Sequence, residues 1–379
     1  MDLNYNEEQQ MLRESVERFV RQHYAFPDRQ KRLADGRGSS RELWQQMAEL
    51  GWLTISLPEE DGGIGGSVAD TAIVMEGLGQ ALALEPYLPT VLASVLIARL
   101  GTDEQKARYL GPLAEGQLQM AVAFTEPQAR YQLDDCATRL EVRDDGMVLE
   151  GGKSLVLGGQ HADMTVVVAR SSGDRKSPDG LSLVLMDRES PGLERRDYQT
   201  NDGQGAVDMH FNGVRLPASA LLGVRGEALP DIEYILDLAI ACVASEAAGA
   251  VSSLCQATLE YLRNRTQFGR PLGANQALQH RMVDMFIAQE ESRSIALYGA
   301  MMMEEPDPVA RKRALSLTKV EIARTARHVA QEAVQLHGAM GVTEELSVGH
   351  YFKRLTAINA TFGDSDWHLH RIAQCDHQQ

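Results

Sequence analysis

The sequence predicts an α+β fold in which a sheet-forming region lies between two helical regions. Residues 1–119 carry helical periodicity, residues 120–225 carry alternating and β-branched segments, and residues 226–379 return to long helical patterns with few breakers. Because strands are segregated from helices, we expect an N-terminal helical domain, a central β domain of barrel or sandwich type, and a C-terminal four-helix bundle.

The N-terminal region is predicted to be a series of helices. Asn6 and Gln9 have the spacing of a capping box, and the apolar residues that follow recur along one helix face. Further helical patterns cover residues 40–50, 69–81, 88–100 and 103–114. The glycine-rich stretch Leu57–Gly66 has no strand clearly leading into it and no Gly-Lys-Ser/Thr sequence after it, so we predict a plain loop rather than a phosphate cradle.

The central region is predicted to form at least five strands, because short apolar runs are separated there by Gly, Asp and Ser turns. These runs are Met120–Phe124, Val148–Glu150, Met164–Ala169, Leu181–Met186 and Val207–Phe211.

The C-terminal region is predicted to contain three long helices, Pro230–Arg265, Asn275–Met303 and Asp307–His337, and a shorter helical stretch near the C-terminus. A helix cannot run smoothly through Phe-Gly-Arg-Pro, so residues 268–271 mark a tight corner. Two interpretations of this corner stay open. It is either a basic helix end with a buried Phe, or a site where guanidinium groups and a ring meet a phosphate-bearing ligand.

Composition limits the partners. A net charge of -16 and a pI near 5.1, with no extensive basic cluster, argue against nucleic acid. The run Leu238–Leu254 contains Glu246 and is predicted to be a buried helix rather than a membrane span. The N-terminus has neither the basic flank nor the apolar core of a signal peptide, and the four cysteines form no CxxC pair. We therefore expect a cytoplasmic protein with reduced thiols and no membrane partner.

Four sequence stretches together resemble the acyl-CoA dehydrogenase family over nearly the whole chain. They are Leu57–Gly65 (LPEEDGGIG), Phe124–Pro127 (FTEP), Arg265–Gln276 (RTQFGRPLGANQ) and Ala333–Gly341 (AVQLHGAMG). Each is modest alone, and their order and spacing make the resemblance strong. The endings His350–Leu355 and Phe362–Asp366 are more similar to the small-subunit type related to pimeloyl-CoA dehydrogenase.

The resemblance implies FAD as cofactor, bound across a subunit interface. In the family, one subunit grips the flavin through a TEPGAGSD segment and a Trp-Ile-Thr strand, and its neighbour holds the ADP half with Arg, Phe and Gln. On the flavin side, Phe124 and Thr125 match here. On the ADP side, the matching residues are Arg265, Gln267, Phe268, Gln276, Gln335 and Gly338.

Other positions depart from the family pattern. Gln128–Gln132 (QARYQ) stands in place of GAGSD, and Leu155–Leu157 (LVL) stands at the Trp-Ile-Thr positions. This chain therefore offers no indole to cover the flavin there and no threonine hydroxyl to reach it.

The base that would remove the α-proton of an acyl-CoA is displaced as well. Its common position falls on Phe362, and the position used by some relatives falls on Ala239. Two carboxylates are candidates instead. Asp364 could be the base or a helix N-cap, and Glu246 could be a buried base or the partner of an arginine in the bundle.

Substrate and metal sites are less well marked. A family Arg near CoA falls on Ile240, whereas the neighbouring Asp position is kept as Asp237, which we expect to contact substrate. Asp366, His368 and His370 alternate at period two, so a helix would point them in different directions. We predict that they are surface residues and that the chain has no metal site.

We therefore expect an FAD-dependent enzyme that forms an α,β double bond in a bulky acyl-CoA, such as a dicarboxylic or steroid side-chain thioester. It would work in a homo- or hetero-oligomer, a dimer or tetramer, with an electron-transferring flavoprotein as acceptor. In the heteromeric form this chain would be the small subunit, and its partner would grip the flavin. The alternatives are a self-sufficient homo-oligomer, a non-catalytic scaffold or half-site subunit, and a fold-related flavin monooxygenase.

Overall fold

The computed structural model describes residues 5–36 and 38–377, and its elements follow the predicted order. Its helices are α1 Glu7–His23, α2 Phe26–Ala34, α3 Arg41–Glu49, α4 Val68–Ala81, α5 Tyr87–Leu100, α6 Asp103–Ala114, α7 Leu229–Asn264, α8 Gln276–Met301, α9 Pro308–His337, α10 Ser347–Ala360 and α11 Ser365–Asp376. Its strands are β1 Met120–Ala123, β2 Arg139–Arg143, β3 Gly146–Leu157, β4 Met164–Arg170, β5 Leu181–Asp187, β6 Leu193–Gln199, β7 Gly205–Leu216, β8 Leu221–Leu222, β9 Thr266–Gln267 and β10 Arg270–Pro271. The α+β class, with helices on both sides of a strand region in the sequence, is confirmed.

Contacts along the chain define two compact units. The helical unit comprises residues up to Lys31, Val68–Ala83 and the chain from Asp237 onward. The sheet unit comprises Arg32–Ser67 and Leu84–Leu236. The division of the sequence into residues 1–119, 120–225 and 226–379 stays a prediction.

In the helical unit, glycines allow α4 and α7 to cross closely. A Cβ on Gly79 would lie 2.0 Å from the backbone oxygen of Glu246, and one on Gly249 would lie 1.9 Å from that of Glu76. Helix α9 packs against α8, α10 and α11, which completes the bundle. Helix α7 has the length and composition of a membrane span, yet the greater part of its apolar window is buried inside the protein. It is therefore a core helix, as Glu246 in its sequence predicts.

In the sheet unit, the strands follow the order β6-β7-β3-β2-β4-β5-β8, and β1 pairs in parallel with β4. The long strands β3 and β7 are antiparallel, and their register shifts between Lys153 and Val156. Such an irregularity re-aims the side chains beside it, and here it places Leu155 at the surface. One side of the sheet is packed by apolar residues that include Leu149, Val167 and Phe211.

Several elements differ from expectation in ways that their sequences explain. Strands β2 (RLEVR) and β6 (LERRDYQ) were not predicted, because charged residues interrupt their apolar pattern. Strand β6 lies at an edge of the sheet, where charged side chains are common. The short helix α2 was not predicted either, and two helices, α10 and α11, occupy the C-terminal stretch where one was expected.

Candidate functional site

The corner between α7 and α8 is a small hairpin at the surface of the helical unit. Strands β9 and β10 pair through Gln267–Arg270 and Thr266–Pro271, so Phe268 and Gly269 form the two-residue turn. Both have positive φ, 53° and 77°, as a tight hairpin turn requires and as few phenylalanines adopt. The Phe268 ring is 100% exposed. The interpretation of a basic helix end with a buried Phe is therefore wrong.

Backbone and side-chain hydrogen bonds brace this corner. The Leu272 amide donates to the Arg265 carbonyl at 2.9 Å, and the Arg270 guanidinium donates to Asn275 Oδ1 at 2.6 Å. Gln279 Nε2 donates to the Gly273 carbonyl at 2.8 Å. The Arg270 side chain thus stabilises the loop, whereas the Arg265 side chain takes no part in it. Its side chain is exposed and makes no hydrogen bond or ion pair to any residue that the structure describes.

A ring contact brings the end of α9 to the corner. Tyr261, one turn before Arg265, stacks on His337 with ring centroids 4.3 Å apart, and its hydroxyl donates to the His337 carbonyl at 3.4 Å. The next residue, Gly338, has φ 58° and ψ -137°, a backbone conformation that essentially only glycine adopts. Gln335 is exposed on the last turn of α9. The structure therefore brings together two motifs that lie about seventy residues apart in the sequence.

The flavin-edge segment, Phe124–Glu126, lies after β1 in the sheet unit. The Ser154 amide donates to the Thr125 carbonyl at 3.0 Å, which joins the segment to β3. Beneath it, Lys153 Nζ donates to Glu126 Oε1 at 2.6 Å, and both side chains are buried. Phe124 and Thr125 are half-buried at the edge of this ion pair. Glu126 and Lys153 therefore support the segment from inside and do not face solvent.

The Glu126 carboxylate accepts further hydrogen bonds, from the Ala137 and Thr138 amides at 2.8 and 3.1 Å and from Gln128 Nε2 at 2.6 Å. Burial by itself raises the pKa of Glu126, but the Lys153 ammonium and these donors outweigh it and lower the pKa to about 2. The Glu126 carboxylate is thus ionised, and both of its oxygens accept hydrogen bonds. Sequence reasoning missed this role, because Glu126 lies in the loop after β1 and its partner Lys153 comes from β3.

Two positions that depart from the family pattern have an unusual backbone. Leu155 and Arg130 have φ of 50° and 49°, which non-glycine residues rarely adopt. The Leu155 amide donates to Asp208 Oδ1 at 3.0 Å, and the Tyr198 hydroxyl donates to the same oxygen at 2.9 Å. Leu155 is 46% exposed. Asp208 therefore fixes the main chain at this position whatever side chain it carries.

Both candidate bases are engaged. Arg354 forms a bidentate ion pair with Glu246 at 2.6 and 2.7 Å, so the arginine-partner interpretation of Glu246 describes the structure. Asp364 is the N-cap of α11 and accepts from the Trp367 amide at 2.9 Å. The N-cap interpretation of Asp364 describes the structure in the same way. Both carboxylates therefore have a structural role. A catalytic role for either stays a prediction.

Asp237 lies in a buried charged cluster. Its carboxylate accepts from Arg371 at 2.7 Å and from Arg311 at 3.3 Å, and Arg371 also donates to the Ser316 hydroxyl at 3.3 Å. These contacts join α7, α9 and α11. Asp237 is 1% exposed, so a contact with substrate would need this cluster to open, and its substrate role stays a prediction.

Among the described residues, no group of three His, Cys, Asp or Glu side chains could hold a metal ion. The surface position predicted for His368 is wrong, because its ring is fully buried and lies 3.0 Å from the Phe362 carbonyl. Asp366 and His370 are exposed, as expected. All four cysteines are free and buried, which fits the predicted reduced thiols.

Two separate regions, one in each compact unit, fit FAD unequally. At the corner, an exposed guanidinium (Arg265), amide side chains (Gln267 and Gln276) and the Phe268 ring suit a pyrophosphate and an adenine. At the flavin edge, the backbone is held in place, but leucines replace the ring and the hydroxyl. The ADP half therefore fits the residues present, and the flavin half has a framework without its usual side chains.

Comparison with known proteins agrees over most of the chain. Acyl-CoA dehydrogenase N-terminal, middle and C-terminal domain families match residues 6–117, 121–214 and 230–375. The probable acyl-CoA dehydrogenase YngJ of Bacillus subtilis (strain 168) is 28% identical over 355 residues, which cover 92% of each chain. The structure of butyryl-CoA dehydrogenase from Megasphaera elsdenii aligns with a TM-score of 0.90 at 26% identity over 100% of both chains. A structure described as the Tcur3481-Tcur3483 steroid ACAD aligns with a TM-score of 0.87 at 26% identity over 98% of both chains.

Proposed function

The chain belongs to the acyl-CoA dehydrogenase family of FAD-dependent oxidoreductases, and on this basis we propose that it works as one subunit of a hetero-oligomer. In this proposal the chain holds the ADP half of FAD, and a related partner subunit with the complete flavin-side sequence grips the flavin. The substrate is a bulky or polar acyl-CoA, such as a dicarboxylic or steroid side-chain thioester. The acceptor is an electron-transferring flavoprotein, and the compartment is the cytoplasm.

One observation carries the proposal: the ADP-side corner is complete and exposed, whereas the flavin side and the base positions are altered. Phe268 is a fully exposed ring on a braced hairpin, and such a ring is typical of an anchor that another molecule covers. Leu155 and Phe362 stand where the family resemblance places a flavin-covering indole and a base. A chain that kept only one half of the site would serve an FAD seated mainly in its neighbour.

The similarity to the Tcur3481-Tcur3483 steroid ACAD gives this proposal a precedent. The name of that protein joins two components and includes the word steroid. Both statements concern that protein alone. They support a heteromeric arrangement and a bulky substrate for the present chain without establishing either.

The residues of this chain would then bind and orient. Arg265 would neutralise a pyrophosphate, Gln267 and Gln276 would hydrogen-bond the nucleotide, and Phe268 would cover it with an apolar face. Bound FAD would supply the hydride acceptor. The α-proton would be taken by a carboxylate outside this chain, since Glu246 and Asp364 are both engaged here.

The rival function is a self-sufficient homo-oligomeric dehydrogenase with Asp364 or Glu246 as base. Asp364 is a candidate because it is the next acidic residue after Phe362, where the family resemblance places the base. The substitutions Asp364→Asn and Glu246→Gln test this directly. Under the heteromeric proposal neither slows flavin reduction by acyl-CoA more than about twofold, whereas removal of a true base lowers that rate by a factor of ~10² or more.

The experiment that tests the proposal is expression of the chain alone and together with a related dehydrogenase subunit encoded next to it. Bound flavin is measured from the absorption spectrum of each preparation. We expect little FAD in the lone chain and about one FAD per pair of subunits in the co-purified assembly. Assembly without flavin reduction by any acyl-CoA would favour a scaffold role, and reoxidation by O₂ with oxygen insertion would favour a monooxygenase.

A further inference from the structure

The turn between α10 and α11 has a strained backbone. Phe362 and the following Gly363 have φ of 59° and 110°, so two successive residues lie on the left-handed side of the backbone map. A phenylalanine gains no intrinsic stability there. Gly363 is required by space as well, because a Cβ would lie 2.5 Å from His368 Nε2 and 2.5 Å from an atom of the Trp367 ring.

A buried lysine holds one side of this turn. Lys319, on α9, is 0% exposed, and its Nζ donates to the Gly363 carbonyl at 2.6 Å and to the Asn359 carbonyl at 3.2 Å. Among the described residues no carboxylate forms an ion pair with it. Burial lowers the pKa of Lys319 to about 7, and the charge of the nearby Asp364 carboxylate acts in the opposite direction. Burying a lysine amine among carbonyl groups is costly, so this lysine needs an explanation. Its partners are the last turn of α10 and the strained turn itself.

A neutral histidine holds the other side. His368 Nε2 lies 3.0 Å from the Phe362 carbonyl, and since a carbonyl only accepts, Nε2 carries the proton. Burial, together with the nearby Lys319 and Arg371 charges, lowers the pKa of His368 to about 3. His368 is therefore a neutral donor at physiological pH, with a fixed tautomer. The carbonyls of Phe362 and Gly363 thus each have a buried donor, one from α11 and one from α9.

We infer that Lys319 and His368 are positioning residues that hold Phe362 and Gly363 in the left-handed conformation, so that α9 and α11 set the orientation of the side chain at position 362. The purpose of this clamp rests on the proposed function, in which position 362 corresponds to the base of catalytic relatives. This chain would then have kept the backbone that presents a side chain and exchanged the carboxylate for a ring. The same separation of framework from side chain is found at Leu155.

The test measures backbone hydrogen exchange of residues 361–368 by mass spectrometry in the full chain, without FAD or acyl-CoA. We expect Lys319→Met to raise exchange in this segment at least tenfold and Arg327→Met, at an exposed position of the same helix, to leave it unchanged. We expect His368→Leu to raise it as well, and His368→Gln, which keeps a donor near the Nε2 position, to restore it. The histidine pair keeps the test decisive if Lys319→Met does not fold.

A rescue separates positioning of residue 362 from general support of the bundle. Asparagine tolerates the left-handed conformation better than phenylalanine does, so Phe362→Asn should lower the exchange of the Lys319→Met variant at least threefold. A purely structural lysine would show no such rescue. Unchanged exchange in folded Lys319→Met and His368→Leu, or the absence of rescue, would overturn the inference. Because no cofactor or substrate is present, these outcomes are independent of the proposed function.

Discussion

The ADP-side corner and the flavin-edge segment differ in which part of a binding site they contain. At the corner, the side chains suited to a ligand are exposed, and Arg270 and Asn275 brace the loop from the side. At the flavin edge, the side chains suited to a ligand have changed, and the buried pair Glu126–Lys153 holds the backbone from beneath. In the proposed site, the framework that holds the backbone and the side chains that would touch the cofactor are therefore two separate sets of residues.

Two sets of contacts hold the backbone at a position without using the side chain of that position. Asp208 accepts the Leu155 amide and fixes a positive φ at that position, although leucine gains nothing from it. Lys319 and His368 do the same for the backbone around Phe362. In both places the residues that hold the main chain lie on other elements, so the side chain could change while the backbone stayed.

The largest expected effect is at the framework of the flavin edge. Lys153→Met leaves the Glu126 carboxylate buried without its counter-charge, which should lower the free energy of unfolding by about 3–5 kcal/mol. Urea unfolding followed by circular dichroism measures it. The control is Arg143→Met, which removes the exposed ion pair with Glu141 and should have no measurable effect. A loss below about 1 kcal/mol for Lys153→Met would mean that the pair does not support this segment.

At the corner we expect a substitution to weaken FAD binding and to leave the free energy of unfolding unchanged. Phe268→Ala should weaken FAD binding by the assembled protein at least about tenfold, or about 1.4 kcal/mol, and change the free energy of unfolding of the lone chain by less than about 0.5 kcal/mol. Equilibrium titration of FAD measures the first quantity. Val224→Ala, at an exposed apolar residue of the sheet unit, is the matched control and should change neither. Equal FAD affinity in Phe268→Ala would remove the corner from the site.

Introducing the family's Trp and Thr at the flavin edge tests whether only the contacting side chains are missing there. If the framework is intact, Leu155→Trp with Leu157→Thr should raise the FAD retained by the lone chain several-fold, because only the contacting groups are missing. The ratio of flavin to protein absorbance measures this. Leu369→Trp, another exposed leucine, controls for an added indole. Without a rise, the altered Gln128–Gln132 segment rather than the leucines would limit flavin binding.

A smaller effect concerns pH. Because the folded pKa of Glu126 is lowered to about 2, the folded protein binds fewer protons there than the unfolded chain below about pH 5. The contribution of Glu126 to stability is therefore present at neutral pH and is lost as the pH falls from about 5 toward 2. Glu126→Gln should reduce the slope of unfolding free energy against pH in this range. An unchanged slope would show that another carboxylate dominates acid unfolding.

Much of the fold could be read from the sequence because its signals are local. The capping box of Asn6 and Gln9 forms as predicted, and Phe-Gly-Arg-Pro ends α7 within one residue of the expected position. The sequence pattern does not predict strand β6, because an edge strand needs no apolar alternation.

The candidate site likewise has features that could be predicted from the sequence and features that could not. The corner could be predicted because Phe-Gly-Arg-Pro breaks the helix locally, but the sequence left open whether Phe268 is buried or exposed. The buried positions of other polar residues could not be predicted, since their partners come from distant segments and their charges suggest a surface position. These residues are Lys319, His368 and the pair Glu126–Lys153. One signal was available for Lys319, which lies in step with the buried apolar residues Leu315 and Ile322 on α9.

The FAD content of the purified chain, alone and with its partner subunit, decides between the heteromeric and the self-sufficient enzyme, and visible absorption spectra measure it. We expect the lone chain to be nearly colourless, since it holds only the ADP half. We expect the assembly to be yellow and to be bleached by an acyl-CoA substrate. Full FAD occupancy in the lone chain, together with bleaching by an acyl-CoA, would contradict the heteromeric proposal.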